Sequence, residues 1–257
     1  MEVPRYLSGM AHPRSLPSAA ERPDVGGGGD VRPQVPGARR ERNAVETKKR
    51  ILEAAGAEFA AKGYDGARLG NIARQAGIQQ ALIHHYFEDK ARLFEAVLAL
   101  GLESMTKGVW DLLEQLGFRG KTERREHVTR DDIRILAEAF IGVLFRFYSH
   151  NGVFLAMVGH ESRTNREQAH RVLVDNVRPL FEAIVGRIRE MSENGNVRRD
   201  VDAPNLVLSC IAMASFAFEQ KGFVTALWPA ADLESESFIT TRKAAIVNMV
   251  LDHILVG

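Results

Sequence analysis

The stretch "GIQQALIHHYF" at residues 77–87 sets two glutamines, two adjacent histidines and a tyrosine among residues apolar enough to bury one side of a helix. Metal ligation, acid–base catalysis and hydrogen bonding to another polymer all use such side chains. Spacing argues against the first two. Adjacent residues on a helix point about 100° apart, so His84 and His85 do not easily share one metal. His160–Glu161 and Glu126–His127 have no recognised ligand or catalytic spacing, and the chain contains no HExxH or CxxC. We therefore expect no catalytic residue, no metal and no cofactor. Contact with a polymer remains: glutamine can pair twice with adenine, and apolar or ring contacts can meet a thymine methyl.

Residues 69–87 supply the elements that would hold these side chains. Ile72, Ala73 and Ala76 share one face of a short helix over roughly 69–76. Gly77 allows a sharp turn at little steric cost, and Ile78 begins that turn with an apolar plug. A second short helix, about 80–86, carries Ile83 and Phe87 inward. Helix, glycine-containing turn, helix is the DNA-binding helix-turn-helix layout, in which the second helix enters the major groove. Its outward residues would be Gln79, Gln80, Ala81, His84 and His85. On this reading the polar face is polar because it meets a nucleic acid.

The formal net charge of +1 gives no global positive field, so DNA binding must rest on local charge. Residues 1–43 are rich in proline, glycine and arginine, include "GGGG" at 26–29, and show no apolar period. They read as a disordered arm. Its last part, "ARRERN" at 38–43, concentrates Arg39, Arg40 and Arg42, as a solvated tail or as an arm that follows a phosphate backbone. The single cysteine, Cys210, lies in an apolar run and reads as a buried core thiol; no internal disulfide is possible, which suits a reducing cytosol. The N-terminus lacks the apolar segment of a secretory signal. The longest uncharged stretch, 203–218, is shorter than the ~20 residues a membrane helix needs, so a cytoplasmic chain without membrane contact is expected.

The rest of the chain reads as helices. Val45, Ile51, Leu52, Ala55 and Phe59 recur at helical spacing from about Asn43 to "KGYDG". Asp89 should cap a long helix reaching about Leu116, followed by a charged loop at 117–130. Asp131 or Asp132 should open a helix to about Tyr148, with further helices at 153–161, 165–192, 203–224 and 235–255. Pro179 must kink or split the helix at 165–192, because it removes a hydrogen bond and clashes with the preceding turn. With no strand or hairpin signal, the class is all-α. The expected division is an arm (1–43), a three-helix DNA-binding domain (44–90) and a helical ligand-binding and dimerisation domain (91–257). The stripe Phe140, Phe145, Phe147, Tyr148 and Phe154 reads mostly as core, with part of it lining a cavity. Met105, Phe140, Phe147, Phe154 and Met157 are the candidate ligand contacts. His160 is either a further one or a satisfied polar residue near a helix end. Leu206, Met213, Ile246, Met249 and Val250 carry more apolar surface than one helix face needs, which points to a two-fold bundle between protomers.

Residues 46–98 resemble the tetracycline-repressor (TetR) family of bacterial transcription regulators. The resemblance rests on "RILEAAGAEFAAKGYDG", then "NIARQAGI", then "LIHHYFEDKARLFEAV". It implies an obligate homodimer that reads a palindromic operator in double-stranded DNA, and a C-terminal domain that binds a small-molecule inducer. It also implies that Gln80 and Ala81 meet bases, that His84 replaces a DNA-contacting tyrosine, and that His85, Tyr86 and Lys90 approach phosphates. Lys48 is counted with these cations. Departures are Ala67 and Arg68, where a capping threonine or serine is usual, Gln79 for serine and Leu82 for threonine. Arg68 could replace the lost hydroxyl contact with a charged one. Gly70 weakens its helix by up to about 1 kcal/mol relative to alanine. The leading expectation is a ligand-released repressor. A regulator controlled by a protein partner or lacking a ligand, and a helical enzyme with an accessory DNA-binding domain, stay open beside it.

Overall fold

A computed structural model describes residues 36–115, 128–164 and 167–255 of the chain. Most of the expected disordered arm and of the charged loop at 117–130 lies outside these residues. The described residues form helices and no strand. They are α1 (Pro36–Gly66), α2 (Leu69–Gln75), α3 (Gln80–Phe87), α4 (Lys90–Gln115), α5 (Arg130–His150), α6 (Gly152–Thr164), α7 (Glu167–Glu193), α8 (Ala203–Glu219), α9 (Lys221–Leu227) and α10 (Glu236–Ile254).

The end of the expected arm is corrected. It is helical from Pro36 rather than disordered to residue 43. Proline suits a first helical turn because its fixed φ is helical and its missing N–H has no intrahelical partner there. The alanine, arginines and glutamate that follow are good helix formers.

Local chemistry sets the other boundaries. Asp89 caps α4 as expected: its carboxylate accepts the Arg92 N–H at 2.8 Å. The cap of α5 is Thr129, not an aspartate. Thr129 Oγ1 accepts the Asp132 N–H at 3.2 Å while Asp132 accepts the Thr129 N–H at 2.9 Å, a reciprocal capping box. Asp202 and Ser235 cap α8 and α10 by accepting the N–H of Asn205 and of Phe238. Pro179 lies inside α7 without splitting it, beside the buried Leu180. One other expectation fails. The helix expected over 203–224 is two helices, α8 and α9, bent by 80° around Gln220.

The N-terminal core gathers Ile51, Phe59, Ile72, Ile83, Leu93 and Phe94. Phe59 and Phe94 meet edge to face with ring centroids 5.0 Å apart. α1 packs on α4 and α6, α4 on α5 and α7, and α5 on α8 and α10. Cys210 is buried as expected, and burial pushes its thiol up to about 11. No single described helix is long and apolar enough to cross a membrane.

Gly63 breaks α1 with φ 66° and ψ 177°, a region essentially reserved for glycine. Gly63→Ala should therefore cost about 1–3 kcal/mol of stability. Urea denaturation followed by circular dichroism checks this; an unchanged midpoint would show that the chain relaxes around the turn.

Candidate nucleic-acid interface

The turn between α2 and α3 is built on Gly77, at φ 64°. Ile78 donates its N–H to the Ala73 carbonyl at 3.0 Å and Gly77 donates to Arg74 at 3.2 Å. Those two bonds close α2 with a Schellman motif, whose left-handed residue is best supplied by glycine. α3 is pinned from beneath by Ile83, fully buried, and Phe87, nearly so. Gln79, Gln80, Ala81, Leu82, His84 and His85 are left exposed, while Tyr86 is half-buried with its ring against His85. The sequence-expected outward set thus shares one solvent-facing surface. Gly70 of α2 lies beside Gln80: a Cβ added there would stand 3.5 Å from its Oε1.

The surrounding charges are more engaged than sequence spacing suggested. Lys48 of α1 lies over the Phe87 ring at 5.9 Å, and burial lowers its pKa. Lys90 lies over the Tyr64 ring at 4.7 Å and donates to the Asp65 carbonyl at 3.4 Å. His84 Nδ1 is 2.9 Å from the Glu88 carbonyl oxygen. A carbonyl can only accept, so Nδ1 carries the proton, and a neutral His84 offers Nε2 as an acceptor. Glu88 is the one non-glycine among the described residues with positive φ, at 65°. It makes a tight γ-turn, with the Asp89 N–H on the Phe87 carbonyl at 2.7 Å, between α3 and α4. Arg68 is exposed, as is Arg42 on α1; the side chains of Arg39 and Arg40 lie outside the described residues.

Two buried glutamates hold this unit in place. Glu58, buried in α1, accepts Lys62 Nζ at 2.8 Å, Asn71 Nδ2 at 3.0 Å and the Arg68 N–H at 3.3 Å. It ties the start of α2 to α1 through Asn71 and the Arg68 backbone, while no side chain caps α2 itself. Glu161, buried in α6, accepts the Tyr64 N–H at 3.1 Å. Glu58 was missed because a glutamate at helical spacing reads as a solvated position, and Glu161 was weighed only as half of a metal or acid–base pair with His160.

A cavity of ≈200 Å³ lies among α4, α5, α6, α7 and α8. Of the candidate ligand contacts, Met105, Phe140, Phe147 and Phe154 line it. Met157 and His160 do not. Met157 is packed into the core at 1% exposure, and the His160 ring lies against Gly63, where an added Cβ would be 3.6 Å away. A smaller apolar cavity of ≈110 Å³ adjoins it, sharing Val109, Phe140, Ile184 and Val207. Among the described residues, no three His, Cys, Asp or Glu side chains gather as a metal site would require.

Two family models match the chain: one described as "Bacterial regulatory proteins, tetR family" over residues 51–97, and one described as "Tetracyclin repressor-like, C-terminal domain" over residues 137–250. The chain belongs to the TetR family. It is 29% identical to the HTH-type transcriptional repressor SCO4008 of Streptomyces coelicolor over 178 residues, 68% of this chain and 80% of that protein. It is 41% identical to the regulator SrpR of Pseudomonas putida over 56 residues, 22% of this chain and 26% of that protein. The structure of FadR from Bacillus subtilis in complex with stearoyl-CoA superposes with a TM-score of 0.58 at 14% identity, over 79% of this chain and 97% of that one. That likeness concerns the fold alone.

In this TetR-family chain the candidate dimer residues divide. Ile246 is fully buried and Val250 nearly so, within the protomer's own core, so neither is free to form a surface. This corrects the sequence reading, which could not tell the inner from the outer face of an all-round apolar helix. Leu206 and Met213 are half-buried and pack against the core. Met249 is 49% exposed, as are Leu208 (53%) and Phe216 (48%) on α8, so both helices keep exposed apolar side chains.

Proposed function

We propose that this DNA-binding TetR-family regulator acts as a homodimeric repressor, released from a palindromic operator by a small molecule held in the larger cavity. Domain division follows: α1 to α3 with Lys90 read DNA, and the helices from α4 onward bind ligand and dimerise. α3 enters the major groove, Gln79, Gln80 and Ala81 face bases, and His84 offers Nε2 as an acceptor. His85, Tyr86, Lys90, Lys48 and Arg68 approach phosphates, and Arg39, Arg40 and Arg42 extend that contact along the first turns of α1.

The observation that carries the reading is α6. Phe154, Leu155 and Val158 of this helix line the cavity, and Glu161 of the same helix holds the Tyr64 backbone. Tyr64 in turn lies beneath Lys90. A ligand that moves α6 therefore moves the support of the DNA-facing unit. For release, that ligand must bind the DNA-free form better than the bound form, since equal affinity shifts nothing. The matches to regulator family models and to a transcriptional repressor favour this reading over an enzyme.

Genomic footprinting of the purified protein would locate the operators, and variants would test the readout. Gln80→Ala should weaken operator binding by about 1–3 kcal/mol and relax discrimination at one base pair per half-site. Lys90→Met keeps the packing over Tyr64; it should weaken all sequences alike and reduce the salt slope by about 1. Equal losses on operator and random DNA for Gln80→Ala would remove its base-reading role.

A further inference from the structure

We propose that the larger cavity takes a lipophilic cation, with its apolar body among the cavity's aromatic rings and its positive centre beside the Glu219 carboxylate at the mouth. The proposal rests on the ligand-responsive reading above and names the chemistry of its ligand.

The lining is almost wholly hydrocarbon, with the rings of Phe140, Phe147, Tyr148, Phe154 and Phe181. Glu219 is the one charged residue among the described residues that line it. A neutral apolar ligand would need no such group, and a carboxylate or phosphate ligand would be repelled by it. A cation gains on three counts. It meets the carboxylate charge directly. It meets aromatic faces, whose quadrupoles attract positive charge. Finally, α8 ends at Glu219, so the partial negative charge of that helix terminus lies at the same end of the cavity.

Tyr148 adds to this without competing. Burial, and then the neighbouring Glu219 charge, push its hydroxyl up to about 12, so it stays neutral at physiological pH. It is a ring and a donor there, never a second anion. The smaller cavity extends the apolar space, and its one charged lining residue, Arg187, is held by Glu190 at 2.7 Å. The far end therefore presents a paired charge, whereas the exposed Glu219 carboxylate stands at the mouth.

Isothermal titration of the full chain with decyltrimethylammonium, decanoate and decan-1-ol, all well below micelle formation, separates charge from chain. The wild type should bind the cation at least about tenfold more tightly than decanoate. Glu219→Gln should bring the cation to within about threefold of decan-1-ol while leaving decan-1-ol unchanged. Decanoate binding as tightly as the cation, or a cation preference that survives Glu219→Gln, would overturn the charge assignment while leaving the cavity reading in place. If none of the three binds, both the assignment and the ligand-responsive reading fall.

Discussion

Met249→Glu should yield a folded monomer that no longer binds operator, whereas Ile246→Glu should unfold. The two residues are three apart on α10 and look equivalent in sequence, yet Met249 is 49% exposed and Ile246 is 0% exposed in the protomer. A carboxylate at 246 enters the core that α10 shares with α5 and α8, where an unpaired buried charge costs roughly 3–5 kcal/mol. A carboxylate at 249 costs the isolated protomer little. It does cost the dimer, because a two-fold interface over Leu208, Phe216 and Met249 sets each patch against its own copy. Desolvation and like-charge repulsion then act twice. Two recognition helices held about one DNA turn apart require the dimer, so operator affinity should collapse although α3 is untouched. Sedimentation and circular dichroism read the outcome: native helix content with half the mass for Met249→Glu, lost helix content for Ile246→Glu. A Met249→Glu protein that remains dimeric at micromolar concentration with wild-type operator affinity would place the interface elsewhere.

The contrast between these residues shows where sequence runs out. The helix-turn-helix was legible because its signals are local. Ile72, Ala73, Ala76, Ile83 and Phe87 mark the inner faces by spacing, and Gly77 marks the turn by its backbone freedom. The all-α class was legible for the same reason. What was not legible depends on long-range partners. α10 is apolar on more than one side, so periodicity could not say which residues face the protomer's core. The polar "EQKG" at 219–222, with Gly222 two residues past Gln220, does mark the break between α8 and α9, but Phe223 and Val224 continue the apolar pattern and made one helix the simpler reading. His160 was left open between a cavity contact and a satisfied polar residue near a helix end, and it is Gly63, nearly a hundred residues earlier, that receives its ring. Glu219 was not considered for the cavity at all: at a helix end a glutamate reads as solvated, and only the packing of α5 and α6 against α8 brings it to the mouth.

Glu58→Ala is expected to melt the DNA-reading unit while leaving the dimer intact. The residue sits at 3% exposure, and its carboxylate gathers the Lys62 ammonium, the Asn71 amide and the Arg68 backbone N–H. Alanine leaves two of those donors, at the start of α2, without their acceptor. Stranded buried donors cost about 1–3 kcal/mol each, and the lost charge-assisted bond adds to that, so a loss of about 2–4 kcal/mol is expected. The three short-range elements α1 to α3 have little core beyond the residues already named, so such a loss is a large share of their stability. α2 would lose its anchored first turn, and with it the angle at which Gly77 delivers α3. Hydrogen exchange at Ile72, Ala73 and Ile83 should accelerate, operator binding should fall by more than about tenfold, and sedimentation should still show the wild-type assembly. Acid provides an independent check. The Lys62 hydrogen bond is the largest influence on Glu58 and lowers its pKa; burial opposes it, and the Asn71 and Arg68 bonds reinforce the lowering. Because the folded pKa lies below the unfolded value of about 4.3, the carboxylate's contribution is fully present above that pH. It is lost as pH falls through the folded value. Wild-type stability should thus decline in that acid window more steeply than that of Glu58→Gln, which has no proton to take up. Parallel acid limbs for the two proteins, or a Glu58→Ala protein with native exchange and native operator affinity, would show that α2 is held by its apolar face alone.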